Sequence, residues 1–255
     1  MSACEKTRFR VKTWRFPLFG SFPYKGYFRR EDALRAARRL EKQGYDVLVR
    51  RVQAFSTLGC LRDPVFSFMT GYTELELAEL IIHEQAHATL FVKNDAGFNE
   101  QFATFVGRKG ALMYLERAHG RGSEAYRGAV DALGDRDRFV ELMHGLHRRL
   151  DRLYRGGLPD EEKLRRKRAI IDDFREDLAR TGRERFFTDA YRGAADMRIN
   201  NALVLSVMRY TADLSLFERY YGATGEDLPR MIRELRRGAR EGAHPREAMR
   251  KTLEE

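Results

Sequence analysis

Long apolar runs are missing from this chain of 255 residues. No stretch approaches the roughly 18 apolar residues that a membrane-spanning helix needs. The opening "MSACEKTRFRVKTWRF" also lacks the apolar core of a secretory signal. Cysteine is scarce: Cys4 and Cys60 are the two present, and neither belongs to a CxxC pair. That excludes a zinc knuckle and a disulfide framework. No internal repeat and no low-complexity tract occurs, so solenoid and linker readings fall away as well.

Charge, by contrast, is plentiful, with 48 basic and 38 acidic side chains and a net charge of +10. Such an excess would suit nucleic acid or an anionic membrane. The basic residues, however, are interleaved with acids in "RREDALRAARRLEKQ" and "EEKLRRKRAIIDDFRE". Interleaving is the mark of solvated helix faces, and no specific nucleic-acid partner is expected. The 43% hydrophobic content suits a globular core, and the length allows one large domain or two small ones.

Local patterns predict an α+β protein, mostly helical. "RFRVKTWRF" alternates like a strand, and "PLFGSFPYKGYF" reads as a structured loop punctuated by Gly and Pro. Residues 31–43 form an amphipathic helix ended near Gly44, and the β-branched "YDVLVRRVQAF" is a second strand. A turn, "STLGCLRDP", follows. From Ala78 onward the pattern is helical, with breaks expected at Gly120–Gly122, Gly156–Pro159 and Gly182. One domain is expected: an α/β part over 1–70, paired helices over 71–120, a charged, outlying helical hairpin over 121–190 and apolar helices over 191–255.

The chemistry concentrates in "IIHEQAHATLFVKNDAGFNEQFATFVG". His83 and His87 stand at i and i+4, on one face of a helix, a turn apart. That spacing lets two imidazoles reach one zinc ion at about 2.0–2.1 Å. Glu84 leaves the helix at another angle, where it can take a proton from a zinc-bound water without ligating the metal. The alternative is a polar stripe on a core helix. A third ligand decides between them. The pattern HExxHxxGxxH would need Gly at 90 and His at 93, where Leu90 and Lys93 stand. "VKNDAG" has turn chemistry, so a following antiparallel helix would bring Glu100 opposite the histidines. Ala86, Ala88 and Ala103 are small enough for close helix approach. Two histidines, a carboxylate and an open position make a catalytic zinc set rather than a closed structural one. Thr104 shares the face of Glu100, and Asn99 precedes it; both are candidates to support the ligands or substrate. Asn200 is expected to cap an apolar helix, and Asn201 and Tyr210 are further candidates for substrate binding. Tyr24, Tyr191 and Tyr210 are the tyrosines considered for oxyanion stabilisation. His144 and His147, three apart in a charged helix, are expected on the surface.

At this point the blocks "TWRFPLFGSFPYKGYF", "FSTLGCLRDPVFSFM", "IIHEQAHATLFVKNDAGFNEQFATFVGRKGA" and "NNALVLSVMRY" together resemble the bacterial predicted-aminopeptidase family. These are gluzincin-like HExxH proteins with a zincin-like helical core. The resemblance covers about Lys12 to Tyr221, weakest in the charged middle. It implies a zinc-dependent peptidase that binds one Zn2+ through His83, His87 and Glu100, with Glu84 as base and a peptide as substrate. Family members commonly carry an upstream lipoprotein-type segment. That implies the cell envelope and proximity to a membrane, with the cytoplasm as the alternative location. The GxMEN-like strand of better-understood gluzincin aminopeptidases is absent. "AFSTLG" at 54–59 is the nearest positional counterpart, an extended segment able to pair with a peptide backbone. An endopeptidase and a non-catalytic peptidase-like binding protein remain the alternative readings. Oligomeric state is not legible.

Overall fold

The computed structural model describes residues 1–16, 20–50, 67–191, 193–210 and 214–254. The chain is mostly helical with a few short antiparallel strands, as an α+β sequence predicts. It divides into two compact units. The first comprises Met1–Arg51 with Gly134–Arg209, the second Val52–Leu133 with Tyr210–Glu255.

In the first unit, β1 (Ser2–Glu5) pairs antiparallel with β4 (Tyr45–Leu48), and β2 (Trp14–Phe16) with β3 (Gly20–Phe22). The strand expected over "RFRVKTWRF" is thus confined to its last three residues, with an isolated bridge between Cys4 and Val11. The stretch expected as loop after it contributes β3. Between β3 and β4 lies α1 (Arg30–Lys42), whose Ala33, Ala37 and Leu40 follow helical spacing and are buried. Ala37 and Leu40 pack with Ala3 and Val47 of the β1–β4 pair. Glu31 and Asp32 open the helix and Arg39 and Lys42 close it, both favourable to its dipole. Gly44, at φ +87°, supplies the left-handed turn that lets β4 begin at once.

The long helices α4 (Glu124–Arg155) and α5 (Asp160–Arg185) break at Gly156–Pro159, as expected. Gly182, however, lies inside α5 and does not end it. A single interior glycine costs only about 1 kcal/mol. Thr181 donates to the Asp177 carbonyl, and the Phe186 N–H closes on Gly182, so the turn continues to Arg185. Nor are these charged helices peripheral. Phe139, Met143, Leu146, Leu150, Ile171, Phe174 and Leu178 form the main core of the first unit, joined by Ile199 and Val204. Most of their charges occupy the outward positions of the same turns; Asp135 and Lys167 are buried exceptions. Asp135, fully buried, accepts from the backbone N–H of Phe187 (2.9 Å) and Thr188 (2.6 Å) and from the Thr188 hydroxyl (2.8 Å). The chain after α5 is thereby tied back to α4. Burial pushes the Asp135 carboxyl up, but these hydrogen bonds and Arg138 outweigh it and hold the group below its ordinary range. Helix α6 (Asn201–Tyr210) completes the unit, capped by the Asn200 side chain, which accepts from the Leu203 N–H (3.0 Å).

In the second unit, α2 (Glu74–Thr89) and α3 (Ala96–His119) run beside the start of α4, α7 (Ser215–Ala223), α8 (Leu228–Arg240) and α9 (Pro245–Glu254). Phe98, Phe102, Phe105, Phe217, Met231, Leu235 and Met249 form its largest core cluster. Among the described residues no helix is long and apolar enough to cross a membrane.

Candidate metal centre

Local chemistry fixes both helices that carry the site. Thr73 caps α2: its hydroxyl accepts from the Glu76 N–H (3.2 Å), and the Glu76 carboxylate accepts from the Thr73 N–H (2.8 Å). This capping box satisfies two N–H groups that the helix leaves orphaned. It also starts α2 four residues before the predicted Ala78. Asn94 turns the chain at φ 65°, and Asp95 caps α3 by accepting from the Phe98 N–H (2.8 Å). The two helices therefore run antiparallel. Glu74 meets His119 at one end (2.8 Å), and Leu75 packs with Ala111 and Leu115.

How closely they approach is set by small residues. Ala86 and Ala103 are buried, whereas Ala88 faces solvent and plays no part. Two glycines that sequence reasoning missed matter more. A Cβ at Gly107 would lie 3.0 Å from the Glu79 carbonyl oxygen and 3.3 Å from the His83 Cβ. One at Gly110 would lie 2.9 Å from the Ile82 Cγ2. Positions 103, 107, 110 and 111 recur at helical spacing, and that stripe of Ala and Gly was the legible signal. It seats α3 directly against the histidine face of α2.

The result is a compact donor group. The Nε2 atoms of His83 and His87 are 3.1 Å apart. Glu100 places Oε2 at 3.7 Å from the His83 nitrogen and Oε1 at 3.8 Å from the His87 nitrogen. All three donors fall within 4.8 Å of one another. A tetrahedral ion with bonds of about 2.0–2.1 Å sets its ligands about 3.3–3.4 Å apart. The shortest contacts lie on either side of that value, so the three residues form a donor set that could hold a metal ion. The donor types, two imidazoles and a carboxylate, suit zinc.

Electrostatics favour ligation over a salt bridge. Burial, reinforced by the neighbouring His87, pushes the His83 imidazole down to about 4, and burial lowers His87 as well. Both rings are therefore neutral at pH 7, with lone pairs available. The unfolded imidazole protonates near 6.5. Between about pH 4 and 6.5 the unfolded chain thus binds more protons, and stability falls as pH falls through that window. Urea titrations of chelator-treated protein should show a loss on the order of 2–3 kcal/mol from pH 7 to 4.5. His83→Asn should remove most of that slope, and an equal slope in the variant would rule out this cause.

The other anticipated residues are distributed as follows. Glu84 is half-buried on α2 beside His83. Asn99 is 3% exposed and forms a cyclic pair with Val92, accepting from its N–H (2.8 Å) and donating to its carbonyl (2.9 Å). It braces the loop that delivers Glu100. Thr104 is half-buried, and among the described residues no hydrogen bond joins it to the three donors. Asn201 lies in the first unit, fully buried. It accepts from the Tyr154 hydroxyl (2.8 Å) and donates to the carbonyls of Glu5 (2.8 Å) and Lys6 (3.2 Å). Its side chain is engaged in holding the fold. Tyr191 stacks between Phe139 and Phe186 in the first unit's core, and Tyr24 is exposed. His144 and His147 are half-buried rather than superficial, His147 stacking on Phe9 at 4.3 Å. The side chain of Tyr210, the segment 54–59 and Cys60 lie outside the described residues. Cys4 is buried and free, its thiol pushed up to about 12 by burial.

The protein is thus mostly helical and brings two histidines and a glutamate together in a group that could hold a metal ion. The family model described as "Putative aminopeptidase" matches residues 1–249, and the chain belongs to that family. No curated protein and no solved structure matches it.

Proposed function

We propose that the protein is a zinc-dependent aminopeptidase of the gluzincin type. The observation that carries this reading is the convergence of His83, His87 and Glu100 within 4.8 Å, on helices where Glu84 adjoins the first ligand. Family membership supports peptidase activity and exopeptidase preference. His83 and His87 would hold the ion as neutral donors, and Glu100 would supply the negative charge. A bound zinc contributes Lewis acidity, polarising the scissile carbonyl and acidifying water. Glu84 takes the proton of the attacking water and passes it to the departing amine. Glu84 is not among the three clustered donors, which suits it to proton transfer rather than ligation.

Zinc analysis and peptide digestion together test the reading. Purified protein should retain about one zinc per chain, the stoichiometry of a single His2Glu centre. His83→Ala and Glu100→Ala should each lower zinc affinity sharply, by competition against a chromogenic chelator. Full affinity in Glu100→Ala would remove that residue from the ligand set. With a peptide library, mass spectrometry should show residues leaving one at a time from the N-terminus. Internal cleavage would instead make the enzyme an endopeptidase.

A further inference from the structure

The first turn of α3 is held by more than its own cap, and the additional hold comes from the far end of the chain. Asp95 spends one carboxylate oxygen, Oδ1, on the Phe98 N–H. Its other oxygen, Oδ2, accepts from the Arg246 Nε at 3.2 Å and lies 3.4 Å from the His244 Nε2. Arg246 also lies over the Phe98 ring, 5.5 Å from its centroid, and His244 meets the same ring edge-on at 6.1 Å. Phe98 is itself fully buried. The Asp95 carbonyl accepts from the Asn99 N–H (3.1 Å), and the Asn99 side chain closes on Val92. Residues 95, 98 and 99 are thus fixed from three directions, immediately before Glu100.

These contacts lie within the second unit. The Asp95–Arg246 pair joins positions 151 residues apart, and its side chains are about a quarter exposed. An isolated pair of that exposure contributes little to global stability. Its consequence is local. Glu100 sits about one and a half turns from the Asp95 cap, and its carboxylate lies close to both imidazoles. A small rotation of the first turn would carry it away from one of them.

We propose that Arg246 is a positioning residue for the metal centre: through Asp95 it sets the orientation of the α3 first turn and so preorganises Glu100 as a ligand. The inference rests on the reading of His83, His87 and Glu100 as a metal site. Partners behind the ligands commonly change metal affinity by about 10–100-fold when removed. Arg246→Met keeps the packing on Phe98 and removes the charged hydrogen bond to Asp95. Asp95→Asn keeps the helix cap, since Asn caps as well as Asp, and removes the charge that Arg246 reads.

The test measures zinc affinity of the full chain by chelator competition, alongside the melting temperature of the metal-free protein. Arg246→Met and Asp95→Asn should each weaken zinc binding about tenfold, with metal-free melting shifted little. The double variant should be no weaker than either single one, and Arg246→Lys should recover part of the affinity. Affinities within twofold of wild type in both single variants would overturn the positioning role while leaving the metal centre intact. Additive losses in the double variant would overturn it too, since the residues would then act separately. Absence of zinc binding by wild type would overturn the metal centre itself, and this inference with it. Should Arg246→Met fail to fold, Asp95→Asn decides alone.

Discussion

Glu84→Gln is expected to slow peptide hydrolysis by about 10²–10⁴-fold, the range for loss of a positioned general base, while zinc content and melting temperature stay at wild-type values. The reason lies in the division of labour on α2. His83 and His87 share the face that meets Glu100. Glu84, the next residue along, leaves the helix about 100° further round. Gln has the same length and keeps the hydrogen-bonding oxygen, so packing and local polarity survive. What is lost is the negative charge, and with it the ability to take a proton. His87→Ala should behave differently, losing zinc and activity together. Adding zinc to chelated wild type should restore cleavage, but adding it to Glu84→Gln should not. Wild-type rates in zinc-loaded Glu84→Gln would sink the proposed mechanism. A Glu84→Gln variant that lost its zinc would place that residue among the ligands instead.

The donor group was legible because its determinants are local. The i, i+4 histidines need only a helix, and Glu100 needs only a turn, which Asn94 and Asp95 supply. The closeness of the two helices was less visible. It depends on which face of α3 turns inward, and Gly107 and Gly110 show their purpose only against Glu79, His83 and Ile82. The start of α2 at Glu74 is readable from the Thr73–Glu76 spacing, whereas the helical pattern alone points to a start at Ala78. Asp95 illustrates the opposite limit. Its cap is a sequence signal, but its partner Arg246 lies 151 residues away, and no local pattern joins them. Asn201 also looked like a site residue, standing beside Asn200 at the start of an apolar helix. Its hydrogen bonds to Glu5 and Lys6 arise from separations of nearly two hundred residues. The charged helices α4 and α5 misled in a simpler way. Composition reports the average of a helix, whereas the core is built by its inward stripe.

Breaking the ion pair between Lys167 and Asp46 should destabilise the first unit by about 3–5 kcal/mol, the range for stranding one buried charge. Lys167 is 6% exposed, and its ammonium donates to the Asp46 carboxylate and to the Lys6 carbonyl (3.0 Å). The same carboxylate accepts from the Asn201 N–H (2.9 Å) at the start of α6. One acid therefore ties β4, α5 and α6 together. Burial lowers the Lys167 ammonium, and Asp46 opposes that effect by attraction and hydrogen bonding. In Asp46→Ala the opposition disappears, and the folded state favours the neutral amine. The unfolded lysine keeps its proton to about pH 10.4, so the unfolded chain then binds the extra proton. Stability of the variant must consequently rise with pH between 7 and 10, narrowing its gap to wild type. The double variant Asp46→Ala, Lys167→Met should lose less than the sum of the single losses, because it strands no charge. Trp14, the chain's one tryptophan, is partly buried against the β1–β4 core of this unit, so its fluorescence during urea unfolding reports the event. A loss below about 1 kcal/mol in Asp46→Ala would put the pair in the range of a solvent-screened surface bridge. A gap to wild type that stayed constant from pH 7 to 10 would show that Lys167 does not depend on Asp46 for its charge.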